Sequence, residues 1–232
     1  MELFNDILGA GLFHSYGGGG ILSGFLHPIL GLDHLLAMVA VGFLSAQMGG
    51  RAIWTVPTAF VGVMAIGALL GIAGVPVPFV EYGITGSVLI LGLGILANPG
   101  GGTDSKKSEE LAKMKKEEAA KSDNPQAAAQ KIKETEEAAK TKGGLPEWLA
   151  ITLVAIFAFF HGNAHGTELP ELSNTIGLII AYIAGFLIAT AGLHVIGALI
   201  GIMAIRSDSG KMMIRITGGI IAAVGVFLVM GV

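Results

Sequence analysis

His27-Pro-Ile-Leu-Gly-Leu-Asp33-His34 and His161-Gly-Asn-Ala-His165-Gly-Thr-Glu168 are the two stretches on which the reading of this chain turns. Each is embedded in a long apolar run, and an ionisable side chain at membrane depth costs several kcal/mol unless it is paired or hydrated. Histidines and carboxylates in such places point by default to an ion, proton or substrate path.

The surrounding composition is that of a membrane protein. Of 232 residues, 53% are apolar and 13% charged, and the mean hydropathy is +0.73, values outside the ordinary range of soluble domains. Runs near 20 residues long predict six spans, at roughly 20–47, 53–73, 81–97, 147–166, 175–204 and 213–231. The expected fold class is therefore an all-α integral membrane protein with six transmembrane helices in two halves of three. Its expected divisions are an extracytoplasmic N-terminal segment (1–19), helices 1–3 (20–97), a charged cytoplasmic insert (98–146) and helices 4–6 (147–232).

The cations set the orientation. Arg51 follows span one, all ten lysines of the insert lie between spans three and four, and Arg206, Lys211 and Arg215 lie between spans five and six. The other ends carry Glu2, Asp6, Glu81, Glu168 and Glu171 and no base. The positive-inside rule then places both termini outside, with an acidic outer rim that concentrates cations. The first fifteen residues lack the basic start of a secretory signal and read as a short surface helix.

With no cysteine in the chain, disulfides, thiolate ligands and thiol nucleophiles drop out. Nothing points to nucleic acid as a partner, and no phosphate-binding Gly-x-x-x-x-Gly-Lys loop is present. Within the insert, Glu109 with Lys113 and Glu117 with Lys121 have helix-supporting spacing. Asp123-Asn-Pro125 breaks that pattern, and the segment has too few apolar residues to form a core. Gly67-Ala-Leu-Leu-Gly71 and Gly197-Ala-Leu-Ile-Gly201 have the small-residue spacing of close helix packing. Two halves of three spans run in opposite senses across a bilayer, as inverted repeats do. Under strict inversion, however, the two His motifs would sit at opposite depths, whereas both approach the outer half, so symmetry carries no functional weight at this stage.

Along a straight helix His27 and His34 share a face but stand roughly 10 Å apart, too far to hold one ion together. Pro28 and Gly31 permit a bend or break that brings His27 inward. His161 and His165 are one turn apart and can share an ion, with Glu168 following on nearly the same face and Pro170 ending the helix. Imidazole with carboxylate suits borderline divalent ions such as nickel, cobalt or zinc. His194 lies deeper, in span five, where a lone histidine serves either as a packing hydrogen-bond donor or as a further ligand. The candidate metal ligands are thus His27, Asp33, His34, His161, His165, Glu168 and His194. Met38, one turn after His34, reads as core filling, and His14 as a surface residue.

The stretch Gly24-Phe-Leu-His-Pro-Ile-Leu-Gly-Leu-Asp-His-Leu-Leu-Ala-Met-Val-Ala-Val-Gly42, with Phe160-His-Gly-Asn-Ala-His-Gly-Thr-Glu-Leu-Pro170, closely resembles the HupE/UreJ family of nickel permeases. Gly185-Phe-Leu-Ile-Ala-Thr-Ala-Gly-Leu-His194 resembles that family's fifth span. His27, Asp33 and His34 match its first signature, and His161, His165 and Glu168 its second. The resemblance implies a secondary transporter in a bacterial cytoplasmic (inner) membrane. It would take up Ni²⁺, or Co²⁺ in some members, for hydrogenase or urease maturation, with the ion as cargo and no prosthetic group. The chain departs from the family in showing no cleavable signal sequence and in its longer insert. Two other classes remain open, an integral membrane zinc-dependent hydrolase and a metal sensor without flux, as does association with a second copy of the chain.

Overall fold

Backbone amides in a bilayer must be satisfied within the chain, so apolar segments of this length fold as helices. The structure, a computed structural model, describes residues 20–98, 145–172 and 175–232, together with Lys113, Met114, Glu117 and Gln130 as isolated helical positions. The side chains of residues 168 and 170–172 are not described. Seven helices follow in order: α1 (Ile21–Leu30), α2 (Leu32–Met48), α3 (Ala52–Ile72), α4 (Val80–Ala97), α5 (Glu147–Leu172), α6 (Ile176–Ala204) and α7 (Asp208–Gly231). Five are long and apolar enough to cross a membrane, and α1 with α2 makes a sixth span bent by 80°. The expected six-span all-α architecture is what forms. The N-terminal segment with His14, and nearly all of the insert, lie outside the described residues.

Apolar residues cover the outside of the bundle, among them Ile66, Leu69, Ile180, Ile188, Ile220 and Phe227. Trp54 and Trp148 are exposed near the starts of α3 and α5, and Phe79 and Tyr82 near the start of α4, the places where amphipathic aromatics anchor a span. At the α2 to α3 end, Thr55 Oγ1 donates to Glu147 Oε1 at 2.7 Å. Gln47 Nε2 donates to the carbonyls of Ile95 and Asn98, tying α2 to the C-terminus of α4.

The helices meet through glycine. A Cβ at Gly42 on α2 would overlap His194 O and Ala198 N on α6; one at Gly162 on α5 would overlap Met64 O and Ala68 N on α3. Gly197 abuts Val39 and Gly42, as Gly67 abuts Phe159 and Gly162. Gly201 meets Phe43 and Ala46, as Gly71 meets Asn163 and Gly166. The α2/α6 contacts and the α5/α3 contacts are therefore the same set, residue for residue, and in both pairs the helices run parallel. Between α4 and α7, Gly92 packs on Ala222 while Gly225 packs on Leu89, an antiparallel pair that is its own counterpart.

This pattern is a two-fold internal repeat of three spans, and it corrects the reading of the sequence that gave symmetry no weight. Its signature is visible in Ile66-Gly-Ala-Leu-Leu-Gly-Ile72 against Ile196-Gly-Ala-Leu-Ile-Gly-Ile202, which differ at one position. The register also resolves the depth objection. Val154 occupies the place of His34, and Val41 and Ser45 occupy those of His161 and His165, so the scaffold repeats and the histidines do not. A second correction concerns α5, which continues to Leu172 rather than ending at Pro170. The proline falls in the last turn, where its missing N–H costs one bond and leaves the helix to fray two residues later.

A methyl group at Gly162 has no space between α3 and α5, whereas Gly62 is exposed with nothing near it. Gly162→Ala should destabilise the detergent-solubilised protein by about 1–3 kcal/mol. Gly62→Ala should be neutral or stabilising by up to about 1 kcal/mol. Thermal unfolding of the two variants beside the native chain checks both signs.

Candidate metal centre

The site begins with the break in the first span. Pro28 sits in the last turn of α1, Leu30 ends that helix, and Gly31 adopts an extended conformation with its N–H on His27 O. Gly31 eases the close approach: a Cβ would stand 3.2 Å from both Asp33 Oδ1 and His34 Nδ1, which would have to shift by a few tenths of an ångström. Helix α2 then starts inside the bundle with no side chain at its N-cap, leaving amide donors without helical partners. Asp33 Oδ1 accepts one of them, the His34 N–H, at 2.8 Å, and also accepts from His34 Nδ1 at 2.7 Å. A carboxylate there is further favoured by the positive end of the helix dipole.

The 80° bend turns α1 across α6, where Gly24 packs on Tyr182 and Gly185 on Ile21 and Phe25. His27 is thereby carried back over the start of α2. Its ring centroid lies 5.2 Å from that of His34 and 4.1 Å from that of His165 on α5. His34 Nε2 and His165 Nε2 are 2.8 Å apart. Ligand nitrogens of His27, His34 and His165 all fall within 4.8 Å of one another, the one such group among the described residues. Tyr182 and Phe186 of α6 wall the cluster, with ring centroids 6.2 Å from His27 and 4.5 Å from His165.

The hydrogen bonds fix how these rings present themselves. With its Nδ1 proton on the Asp33 carboxylate, His34 turns the lone pair of Nε2 toward His165, which donates to it from Nε2–H when no ion is bound. An ion held by both Nε2 atoms would require His165 in its other neutral tautomer, with the proton on Nδ1. The carboxylate behind a ligating imidazole orients the ring and raises its basicity.

The candidates separate as follows. His27, His34 and His165 come together. Asp33 is engaged with His34 and stands behind that ring. His161 packs edge-on against His34 at 5.0 Å and is fully buried, its Nδ1 donating to Phe157 O at 2.9 Å. That bond leaves the lone pair on Nε2. His194 is buried on α6 and is in contact with Phe60, whose ring centroid lies 5.7 Å from that of His161 and 5.1 Å from that of His194. The Glu168 side chain lies outside the described residues. Met38 is fully buried in the apolar core, as expected. Tyr182, Phe186 and Phe60 belong to the site without having been singled out in the sequence; a tyrosine in an apolar span was the one available signal, and the two phenylalanines offered none.

Residues 7–100 and 139–228 match the family described as "HupE / UreJ protein". The chain belongs to the HupE/UreJ family. It is 38% identical over 213 residues to "Protein HupE" of Rhizobium leguminosarum bv. viciae, an alignment covering 91% of this chain and 85% of that relative. No solved structure matches it. The first matched segment contains the broken span and the second both histidines of α5, so the family match includes the whole three-histidine cluster.

If Asp33 orients His34, Asp33→Asn should weaken binding of a divalent ion about 10- to 100-fold, and His34→Ala should weaken it further by removing a ligand. Equilibrium dialysis of Ni²⁺ against purified protein measures both. Because imidazole must be neutral to bind a metal, affinity should fall as pH is lowered, which the same dialysis at a series of pH values measures.

Proposed function

We propose that this multi-pass membrane protein is a permease that carries Ni²⁺, or Co²⁺, across the bacterial cytoplasmic membrane. The observation that carries the reading is the convergence of three imidazoles from three helices within 4.8 Å inside a membrane-spanning bundle, in a chain of the HupE/UreJ family. His27, His34 and His165 are the loading ligands and Asp33 holds His34 in place. His161 and then His194 continue the path inward, and Glu168 belongs by sequence to the acidic outer rim.

The donor set supports a borderline divalent ion, since three imidazoles with a carboxylate behind one of them suit nickel, cobalt or zinc. Borderline ions share these ligands, so the order among Ni²⁺, Co²⁺ and Zn²⁺ is a matter for direct competition.

The remaining parts of the reading follow from charge. With the basic loops at Arg51 and Arg206 in the cytoplasm, both termini are outside and the cluster faces the outer half. An inside-negative potential of 100 mV does about 4.6 kcal/mol of work on a divalent ion, enough for accumulation of over a thousandfold without ATP. The delivered ion would serve maturation of a nickel enzyme such as hydrogenase or urease.

The hydrolase alternative needs a carboxylate free to act as general base beside the metal. Asp33 is committed to the backbone and ring of His34, which favours transport over hydrolysis.

Purified protein in liposomes with an imposed inside-negative potential should accumulate Ni²⁺ or Co²⁺, and His34→Ala should abolish the uptake. Tight, stoichiometric binding without flux of any ion would instead support a sensor or a hydrolase.

A further inference from the structure

Phe60 of α3 is fully buried and makes edge-type contacts with His161 at 5.7 Å and with His194 at 5.1 Å. His161 in turn meets His34 at 5.0 Å. From His27 to His161 the imidazoles are contiguous, and the described ring contacts reach His194 through Phe60.

Near this apolar ring the buried polar atoms lack protein partners. His161 Nε2, both ring nitrogens of His194 and the Thr190 hydroxyl make no hydrogen bond with any described residue. Thr190 and His194 are one turn apart on α6, so their side chains address the same face. Buried groups of this kind ordinarily find partners within the fold because leaving them unmet costs free energy. The rings of His161 and His194 both contact Phe60, and unmet buried nitrogens on both point to a polar ligand in this region.

The internal repeat gives a second, independent observation. By the α3/α6 register that aligns Met64 with His194, the counterpart of Phe60 is Thr190. The two halves share a scaffold and diverge here, one bearing a ring and the other a small hydroxyl. Moreover, Phe60 belongs to the parallel pair α3/α5, whereas His194 belongs to the pair α2/α6. The contact between them crosses the boundary between the two repeat-related pairs, so any relative movement of the pairs alters it.

We propose that Phe60 is the gate of the ion path: it separates the outer loading cluster from an inner station formed by His194 and Thr190. Displacement of its ring as the two helix pairs move opens the way for the ion. The inference rests on the permease reading and adds to it a residue that touches no loading ligand of the outer three. An apolar ring also interrupts the line of imidazoles through which protons would otherwise pass, and its face can stabilise a partly dehydrated cation in transit.

Liposomes containing the native chain, Phe60→Ala, Phe60→Trp and Phe60→Leu test this, with Ni²⁺ binding, Ni²⁺ uptake and potential-driven proton leak measured on each. Ni²⁺ affinity should stay within about twofold throughout, since the loading ligands are untouched. Phe60→Ala should raise proton leak roughly tenfold or more, and Phe60→Trp should slow Ni²⁺ uptake roughly tenfold, each a modest change in a barrier. Uptake and leak equal to those of the native chain in both variants would overturn the gate. Should neither variant fold, Phe60→Leu, which is smaller and has no ring face, decides: a leak above native supports the gate, and native leak and uptake overturn it. A native chain that binds Ni²⁺ yet passes none contradicts the permease reading itself, an outcome distinct from native flux with indifferent Phe60 variants.

Discussion

The structure depends on a helix break placed where a membrane protein tolerates it least. Ending α1 at Leu30 and restarting at Leu32 exposes backbone amides within the bundle, a cost the bilayer does not relieve. Asp33 meets part of that cost by accepting the His34 N–H, and the same carboxylate oxygen holds the His34 ring. The break also turns His27 onto His34 and His165. One local event thus brings the imidazoles together, orients the His34 ring and gives the half-buried Asp33 its partners. Gly31 allows it, because its missing Cβ leaves room for Asp33 and His34 to fold over the joint.

Around the joint, glycine contacts set the backbones. The α2/α6 and α3/α5 pairs approach so closely that a methyl group at Gly42, Gly162 or Gly166 would overlap main chain. Such interfaces resist continuous deformation, so each pair is best regarded as one body. The three-histidine cluster draws His27 and His34 from the first span and His165 from the α3/α5 pair, which places it at the boundary between bodies related by the repeat. On the proposed permease reading, relative movement of the two bodies would expose such a site to one side or the other, as in repeat-built transporters.

Most of the fold was legible in the sequence because span length and apolar content are direct consequences of bilayer thickness. The bend at Pro28 and Gly31 was legible too, since two residues with backbone effects sat between two histidines that a straight helix would keep apart. Partners across the bundle were less accessible. That His27 meets His165 follows from the crossing of α1 over α6 at Gly24 and Gly185, which no local pattern specifies. The repeat was half visible in its matching Gly-Ala-Leu segments but obscured by histidines that do not repeat. Phe60 was invisible, because a phenylalanine in an apolar span looks the same whether it faces lipid, core or a path.

Asp33 illustrates how a residue type can be read correctly and its contact missed. The sequence placed a carboxylate beside two imidazoles, a pattern equally consistent with ligand and with orienting partner. Helix-start geometry favours the orienting role: at the second position of α2 the side chain reaches the His34 amide and the His34 ring. No such constraint acts on His34 and His165, whose Nε2 atoms face each other.

X-ray absorption at the nickel edge of the loaded protein, native and His27→Ala, examines the bent first span and its cluster together. Three imidazoles in the native protein and two in the variant are the result expected if the break delivers His27 to the ion. An unchanged number of imidazoles, or a shell of oxygen alone, would mean that the ion sits elsewhere and that the bend at Gly31 serves another purpose.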